Sequence, residues 1–251
     1  MAPVTQWPGA ALALELERAE LLVQRGRKDD ARKIFLGIVQ ERPNNSHARL
    51  RLATLHVELG AAAKAVDEFE KILRQGKGGT DVSLPFAEAL LQSGKPDRAI
   101  EELKSYLETA QNDLQGLVKL GHAYVMKQRY EEAMAVLEHA VAINQNFAPA
   151  YYYAGLAEFG RQRQKARDVE RRLRNGEPIR MENKPDFGKA IRALNNAREK
   201  APENLEYRRV LAEALTESGR QRDLQSALEQ YDSIIREYRK SIRLGRPVVE
   251  S

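Results

Sequence analysis

Residues 117–137 decide the fold. They read Leu117-Val118-Lys119-Leu120-Gly121-His122-Ala123-Tyr124, then eight residues, then Ala133-Met134-Ala135-Val136-Leu137. Two small residues, Gly121 and Ala133, each stand in an apolar frame of helical spacing. The same frame returns every 34 residues. Ala31, Ala65, Ala99 and Ala133 are 34 apart, as are Ala19, Ala53, Ala87, Gly121 and Gly155. Gly26, Gly60 and Gly94 share the period, and so do Phe35, Phe69, Leu103 and Leu137. Chance does not align so many columns of small and large residues, so the chain is an array of repeats.

Within one period the pattern is two amphipathic helices. In residues 46–79, Arg49 to Leu59 reads as the first, Gly60 stops it, and Ala61 to Arg74 reads as the second. A glycine at a helix end supplies the left-handed backbone that a β-carbon opposes. Ala53 and Ala65 are expected to meet across the hairpin, with Phe69 and Ile72 filling the space beside them. Pro43 and Pro202 stand where second helices must end, because proline cannot continue the hydrogen-bond ladder.

These residues resemble the tetratricopeptide repeat, whose signature is W-x2-L-G-x2-Y, then A-x3-F, then P. Leu117, Leu120, Gly121, Tyr124, Ala133 and Leu137 fit it in one unit. Ala31, Phe35 and Pro43 fit it in another, and Ala190, Leu194 and Pro202 in a third. No unit has Trp at the first signature place, and Lys77, Gln111 and Gln145 stand where Pro is usual. The resemblance implies an all-α, right-handed superhelical solenoid of six hairpins. The units partition as 12–45, 46–79, 80–113, 114–147, 148–204 and 205–241, with tails at 1–11 and 242–251. The fifth unit holds an insertion at about 161–184.

Composition agrees with a helical chain. Of 251 residues 42% are apolar, 31% charged and only 6% aromatic. The absence of cysteine excludes disulfides, thiolate zinc sites, iron–sulfur centres and a cysteine nucleophile. Met1 to Ala10 carry no Lys or Arg, and Glu15 and Glu17 interrupt the apolar stretch that follows, which reads against a secretory leader. No run reaches the ~18–20 apolar residues of a membrane helix. The expected location is the cytoplasm, or the periplasm or envelope if a leader or anchor has been removed.

Nothing in the sequence gathers into a catalytic centre. His47, His56, His122 and His139 fall in separate helices, with no His-Glu-x-x-His pair. Glu101-Glu102 and Glu131-Glu132 look like acid–base pairs, but acids favour helix N-termini and are read as structural there. Gly76-Lys77-Gly78-Gly79-Thr80 lacks the ending of a phosphate loop and reads as a turn between repeats. The chain is expected to be no enzyme and to hold no cofactor or metal.

Stacked hairpins leave an extended concave face lined by first helices, so protein binding is the expected function. In register along that face lie Leu50 and Val57, Leu84 and Leu91, Val118 and Val125, and Tyr152 and Phe159, each pair two turns apart. They read either as packing between first helices or as an apolar ribbon for an amphipathic helix or extended peptide. Arg51, Lys119 and His122 are interspersed. Leu16, Glu20, Leu50, Thr54, Leu84 and Glu88 occupy the places where some family members clamp a C-terminal carboxylate, and they argue against such a clamp.

The insertion is basic. Residues 161–184 hold nine Lys or Arg against four Asp or Glu, which equals the whole net charge of +5. No helix breaker stands between Arg161 and Asn175-Gly176, so the fifth first helix is predicted to run to Arg174. Asp168–Arg172 and Glu170–Arg174 are spaced to support it. Arg167, Arg171 and Arg174 are candidate contacts for an acidic partner protein. A membrane surface is a weaker reading, and nucleic acid is disfavoured because no aromatics interleave with the charges. Further basic residues stand at Arg236, Arg239, Lys240, Arg243 and Arg246, and Trp7 lies outside the repeats as a cap or part of a tail. A second functional reading is a subunit of a larger envelope or multiprotein assembly, docked through its insertion and convex face.

Overall fold

The computed structural model describes residues 8–180 and 184–244; Trp7 and Arg246 lie outside the described residues. These residues form twelve helices and no strand: α1 Pro8–Gln24, α2 Lys28–Glu41, α3 Ser46–Glu58, α4 Ala62–Arg74, α5 Thr80–Gln92, α6 Pro96–Thr109, α7 Leu114–Met126, α8 Tyr130–Ile143, α9 Ala148–Arg174, α10 Gly188–Lys200, α11 Leu205–Ser218 and α12 Gln221–Arg243. Two compact units divide them, residues 1–109 with α1 to α6 and 110–251 with α7 to α12. Each unit is three hairpins. In the first, α2 packs on α3, α4 on α5, and α3 touches α5. In the second, α8 packs on α9, α10 on α11, and α9 touches both α7 and α11.

The small residues set the hairpin contact. Ala19, Ala53 and Ala87 in the first helices, and Ala31, Ala65 and Ala99 in the second, are wholly buried. So are Phe35, Phe69 and Leu103 beside them. In the second unit the fit is tighter. A β-carbon on Gly121 would lie 2.5 Å from Leu137 Cγ, and one on Gly155 2.6 Å from Leu194 Cγ. Short polar residues start several helices: Asn45 accepts from the Ala48 N–H at 3.0 Å, Asp113 from Gly116 at 2.7 Å and Asn204 from Tyr207 at 3.1 Å.

The turn inside each hairpin needs left-handed backbone. Gly26, Gly60 and Gly94 have φ of 73°, 72° and 71°. The fourth such place holds Gln128, which adopts φ 57° despite its β-carbon, and Gly219 supplies φ 67° in the last hairpin. The fifth place is Gln162, and there the chain does not turn. Helix α9 continues for 27 residues and ends only at Asn175, before Gly176 with φ 72°.

At the place of the signature Trp, two hairpins carry arginine. Arg49 is buried and donates to the Glu68 carboxylate of α4 and, at 2.8 Å, to the Pro43 carbonyl just after α2. Arg208 does the same with the Ser233 hydroxyl of α12 and the Pro202 carbonyl after α10. One side chain thus ties a hairpin to the turn that enters it. The acid pairs differ from each other. Glu131 and Glu132 occupy the first turn of α8, whereas Glu101 and Glu102 lie beyond the first turn of α6, where only Asp97 is acidic, so the helix-terminus reading holds for one pair alone.

Gly155→Ala is expected to cost about 1–3 kcal/mol of stability, because Leu194 Cγ and its backbone nitrogen at 3.2 Å leave no room. Gly37→Ala, in α2 with nothing within 4 Å, is expected to gain up to about 1 kcal/mol from helix propensity. Urea denaturation of the two variants checks both signs.

Candidate functional site

The residues expected to line the binding face fall into two sets, one in each unit. In the first unit Leu50, Val57 and Leu84 are half-buried on α3 and α5, and Leu91 is buried at 4% exposure. Arg51 is not available as a cationic selector. Its guanidinium makes two hydrogen bonds of 2.6 Å to the Glu20 carboxylate of α1, a fork-to-fork pair that locks neighbouring first helices.

In the second unit Val118, Tyr152 and Phe159 are buried at 5%, 8% and 4% exposure. Tyr152 stacks on Tyr207 at 4.4 Å between ring centroids, and its hydroxyl donates to Glu206 at 3.1 Å. Burial, followed by the Glu206 charge, pushes its pKa well above the phenol range. Phe159 meets Phe187 edge-on at 5.8 Å and lies under the Arg163 guanidinium at 5.5 Å. Leu91, Val118, Tyr152 and Phe159 therefore fill the packing between helices. Two turns along a helix return a side chain to the same face, but that face is covered where other residues pack on it, as Tyr207 and Phe187 do on Tyr152 and Phe159.

What the second unit does open lies partly on this line, at Val125, and partly beside it. Lys119, His122 and Val125 of α7 are half-buried and Met126 is 40% exposed. Tyr153 and Leu156 of α9 are half-buried, with the His122 and Tyr153 rings stacked at 4.7 Å. Val125, Met126, Tyr153 and Leu156, with His122 stacked on Tyr153 and Lys119 one turn from it, make the accessible surface of α7 and α9 largely apolar and aromatic there. Charged pairs border the α9 and α11 side: Arg209 on Glu206 at 2.7 Å and on Glu213, and Arg163 on Glu217 at 3.1 Å. Met126, Tyr153 and Leu156 were not named from sequence, because they lie off the seven-residue line; the missing signal was which flank the next helix covers.

The continued α9 presents Arg167, Arg171 and Arg174 to solvent. Arg171 pairs with Asp168 at 3.0 Å, three residues back, and neither of the four-residue pairs expected from sequence forms. The helix is anchored from below. Glu158 accepts from Arg161 at 2.8 Å and from buried Gln162 at 2.7 Å, and Gln162 Oε1 accepts from the Asp186 N–H at 2.9 Å. The side chain that replaces a turn glycine thus also holds the returning chain.

Two sequence profiles described as tetratricopeptide repeat match the chain, one at residues 58–119 and 90–158, the other at 16–80 and 185–242. The chain belongs to the tetratricopeptide repeat family. No curated protein matches it. Among solved structures this repeat protein is similar to YrrB, described as a TPR protein with an unusual peptide-binding site. The two share 19% identity over 77% of this chain and 88% of that one, with a TM-score of 0.55. A tetratricopeptide repeat protein from Parabacteroides merdae shares 14% identity over 91% and 80% of the two chains, with a TM-score of 0.67. Human IFIT1, solved as a dimer with m7Gppp-AAAA, shares 15% identity over 89% of this chain and 50% of its own, with a TM-score of 0.65. At such identities the likeness is one of fold. Tetratricopeptide repeat proteins are typically protein-binding scaffolds rather than enzymes. Among the described residues no three His, Asp or Glu gather as a metal site, and no helix is long and apolar enough to cross a membrane.

Two outcomes test this placement. Leu91→Glu is expected to destabilise by about 3 kcal/mol or more, because it buries a carboxylate without a partner, while Val125→Glu costs under about 1 kcal/mol. Thermal melts followed by circular dichroism separate them. His56, buried in α3 with Nδ1 unpartnered, has its pKa lowered by burial and by Arg32 and Lys64. The unfolded chain therefore binds this proton more readily, so stability should fall as pH drops through about 6.5. His56→Gln should flatten that slope in urea titrations at successive pH values.

Proposed function

We propose that this chain is a non-enzymatic adaptor that holds a partner protein segment, an amphipathic helix or extended peptide, against its first helices. The observation that carries the reading is the apolar patch on α7 and α9, where Val125, Met126, Tyr153 and Leu156 stay accessible beside His122, stacked on Tyr153. Apolar side chains flanked by charge are how such a face takes one side of a partner helix while excluding others. The half-buried Leu50, Val57 and Leu84 offer a smaller face of the same kind in the first unit.

Val125→Glu combined with Met126→Glu tests the patch in affinity purification from native cells followed by mass spectrometry. Both positions have access to solvent, so helical content is expected to stay at the wild-type level while a discrete partner is lost. Recovery of the same partner by the variant removes the patch as the site.

Exposed Arg167 and Arg174, which make no ion pair among the described residues, favour a second reading, in which the basic end of α9 docks the protein on an acidic surface of a larger assembly. Arg167→Glu, Arg171→Glu and Arg174→Glu together test it without disturbing the Gln162 network that deletion of 161–184 would remove. Loss of association in this triple variant alone assigns the contact to α9 rather than to the patch.

A further inference from the structure

Of the four histidines, His56 alone is buried, at 7% exposure; His47 and His139 are exposed and His122 is half-buried. It stands in the last turn of α3, the helix that packs on both α2 and α4 of the first unit. Its Nδ1 is shut off from solvent and has no hydrogen-bond partner among the described residues. A neutral imidazole tolerates that position better than a charged one, because with its proton on Nε2 the buried nitrogen is a bare lone pair. Protonation places a second N–H at Nδ1, and a buried donor without an acceptor is strongly disfavoured. The carbonyls at the end of α3, which favour a positive charge, do not help a nitrogen that reaches none of them.

The charges around the ring give no relief. Arg32 of α2 and Lys64 of α4 both set positive charge on it. Glu68 of α4 opposes them, but its carboxylate already accepts from Arg49 and from Lys71. Glu58, two residues along α3, is paired with Lys28 of α2 at 3.0 Å. Helix α5, which also touches α3, places no charge on the ring among the described residues. Burial, followed by Arg32 and Lys64, holds the pKa of His56 below the ordinary histidine value of 6.5. A base held low in the fold stabilises it above pH 6.5 and withdraws that contribution as the pH falls. Asp30 and Glu70, also in the first unit, are held low by hydrogen bonds from Arg27 and Arg98, so they keep their charge through the range in which His56 responds.

We propose that His56 is an acid-operated release within the first unit: an imidazolium there has neither an acceptor nor a free counter-charge, so α3 parts from α2 and α4 while the second unit stays closed. The second unit has no buried histidine to respond. The opening is local, because the groups that must separate lie within the contacts of α2, α3 and α4. The open form takes the proton as an ordinary histidine does and the closed form resists it, so acid shifts the population toward the open form. Val57, next in sequence to His56, and Leu50 on the same helix belong to the first-unit face proposed above, so a partner held there is released in acid. That consequence alone rests on the adaptor reading; the opening of α3 needs no partner and is measured without one.

Hydrogen exchange of the full chain tests the release, read by mass spectrometry at about pH 7.5 and about pH 5.5, either side of the histidine range, as protection relative to unfolded peptide. Amides of α3 and α4 are expected to lose protection about tenfold at the lower pH, while those of α7 to α11 keep theirs. His56→Gln and His56→Leu remove the titrating group, and either variant that folds is expected to show no such loss. Lys64→Glu, at an exposed position, puts a carboxylate where a cation now opposes protonation, and is expected to cut the loss to about threefold or less. Protection of α3 and α4 that is the same at both pH values overturns the proposal. So does an equal loss in both units, which is general acid destabilisation, or a loss that persists in the His56 variants. Should neither of those variants fold, Lys64→Glu decides, and an undiminished loss there overturns the proposal too.

Discussion

Every hairpin in this protein depends on two helices approaching more closely than ordinary side chains permit. Where Ala53 faces Ala65, or Gly121 and Gly155 face Leu137 and Leu194, the backbone of one helix rests against the side chains of the other. The neighbouring Phe35, Phe69, Leu103, Leu137 and Leu194 fill what remains, and none has any exposed surface. Interiors at this density have no slack for a methylene, so the constraint is written as small residues at fixed intervals. In the last hairpin Ala212 and Ala227 keep the same contact after three residues have been added to the unit.

From that contact the rest follows in order. A close hairpin needs a tight turn, and a tight turn needs left-handed backbone, which glycine gives without strain and Gln128 gives with some. At Gln162 the chain does not take the left-handed turn that Gln128 takes at the equivalent place, and the helix continues. It extends into solvent with arginines on its free surface and a buried polar network at its root. The longest departure from the repeat is thus a turn exchanged for a helix, anchored by the side chain of Gln162 at the place of that turn.

Much of the fold was legible because a period of 34 residues is a statement about geometry repeated several times over. The turn at Gly60, the helix ends before Pro43 and Pro202, and the run of α9 to Arg174 all follow from local rules. The binding face was legible only in part. Leu91, Val118, Tyr152 and Phe159 lie on the line that seven-residue spacing picks out and Met126, Tyr153 and Leu156 lie beside it, and helical spacing does not say which line the adjacent element covers. The pairing of Arg51 with Glu20, 31 residues away, follows from no local rule.

By itself the sequence determined the family, the helical hairpins, their small-residue contacts and the place where one helix overruns its turn. These rest on interactions within a few residues or at a constant interval, which a linear string records. The tertiary structure alone decided which apolar rows are core and which are surface, which arginines are already paired, and that Leu224, Leu228, Ile235 and Ile242 of α12 stay exposed. Those outcomes depend on what lies across the next helix, and the distance along the chain to that neighbour is not encoded in the residue it covers.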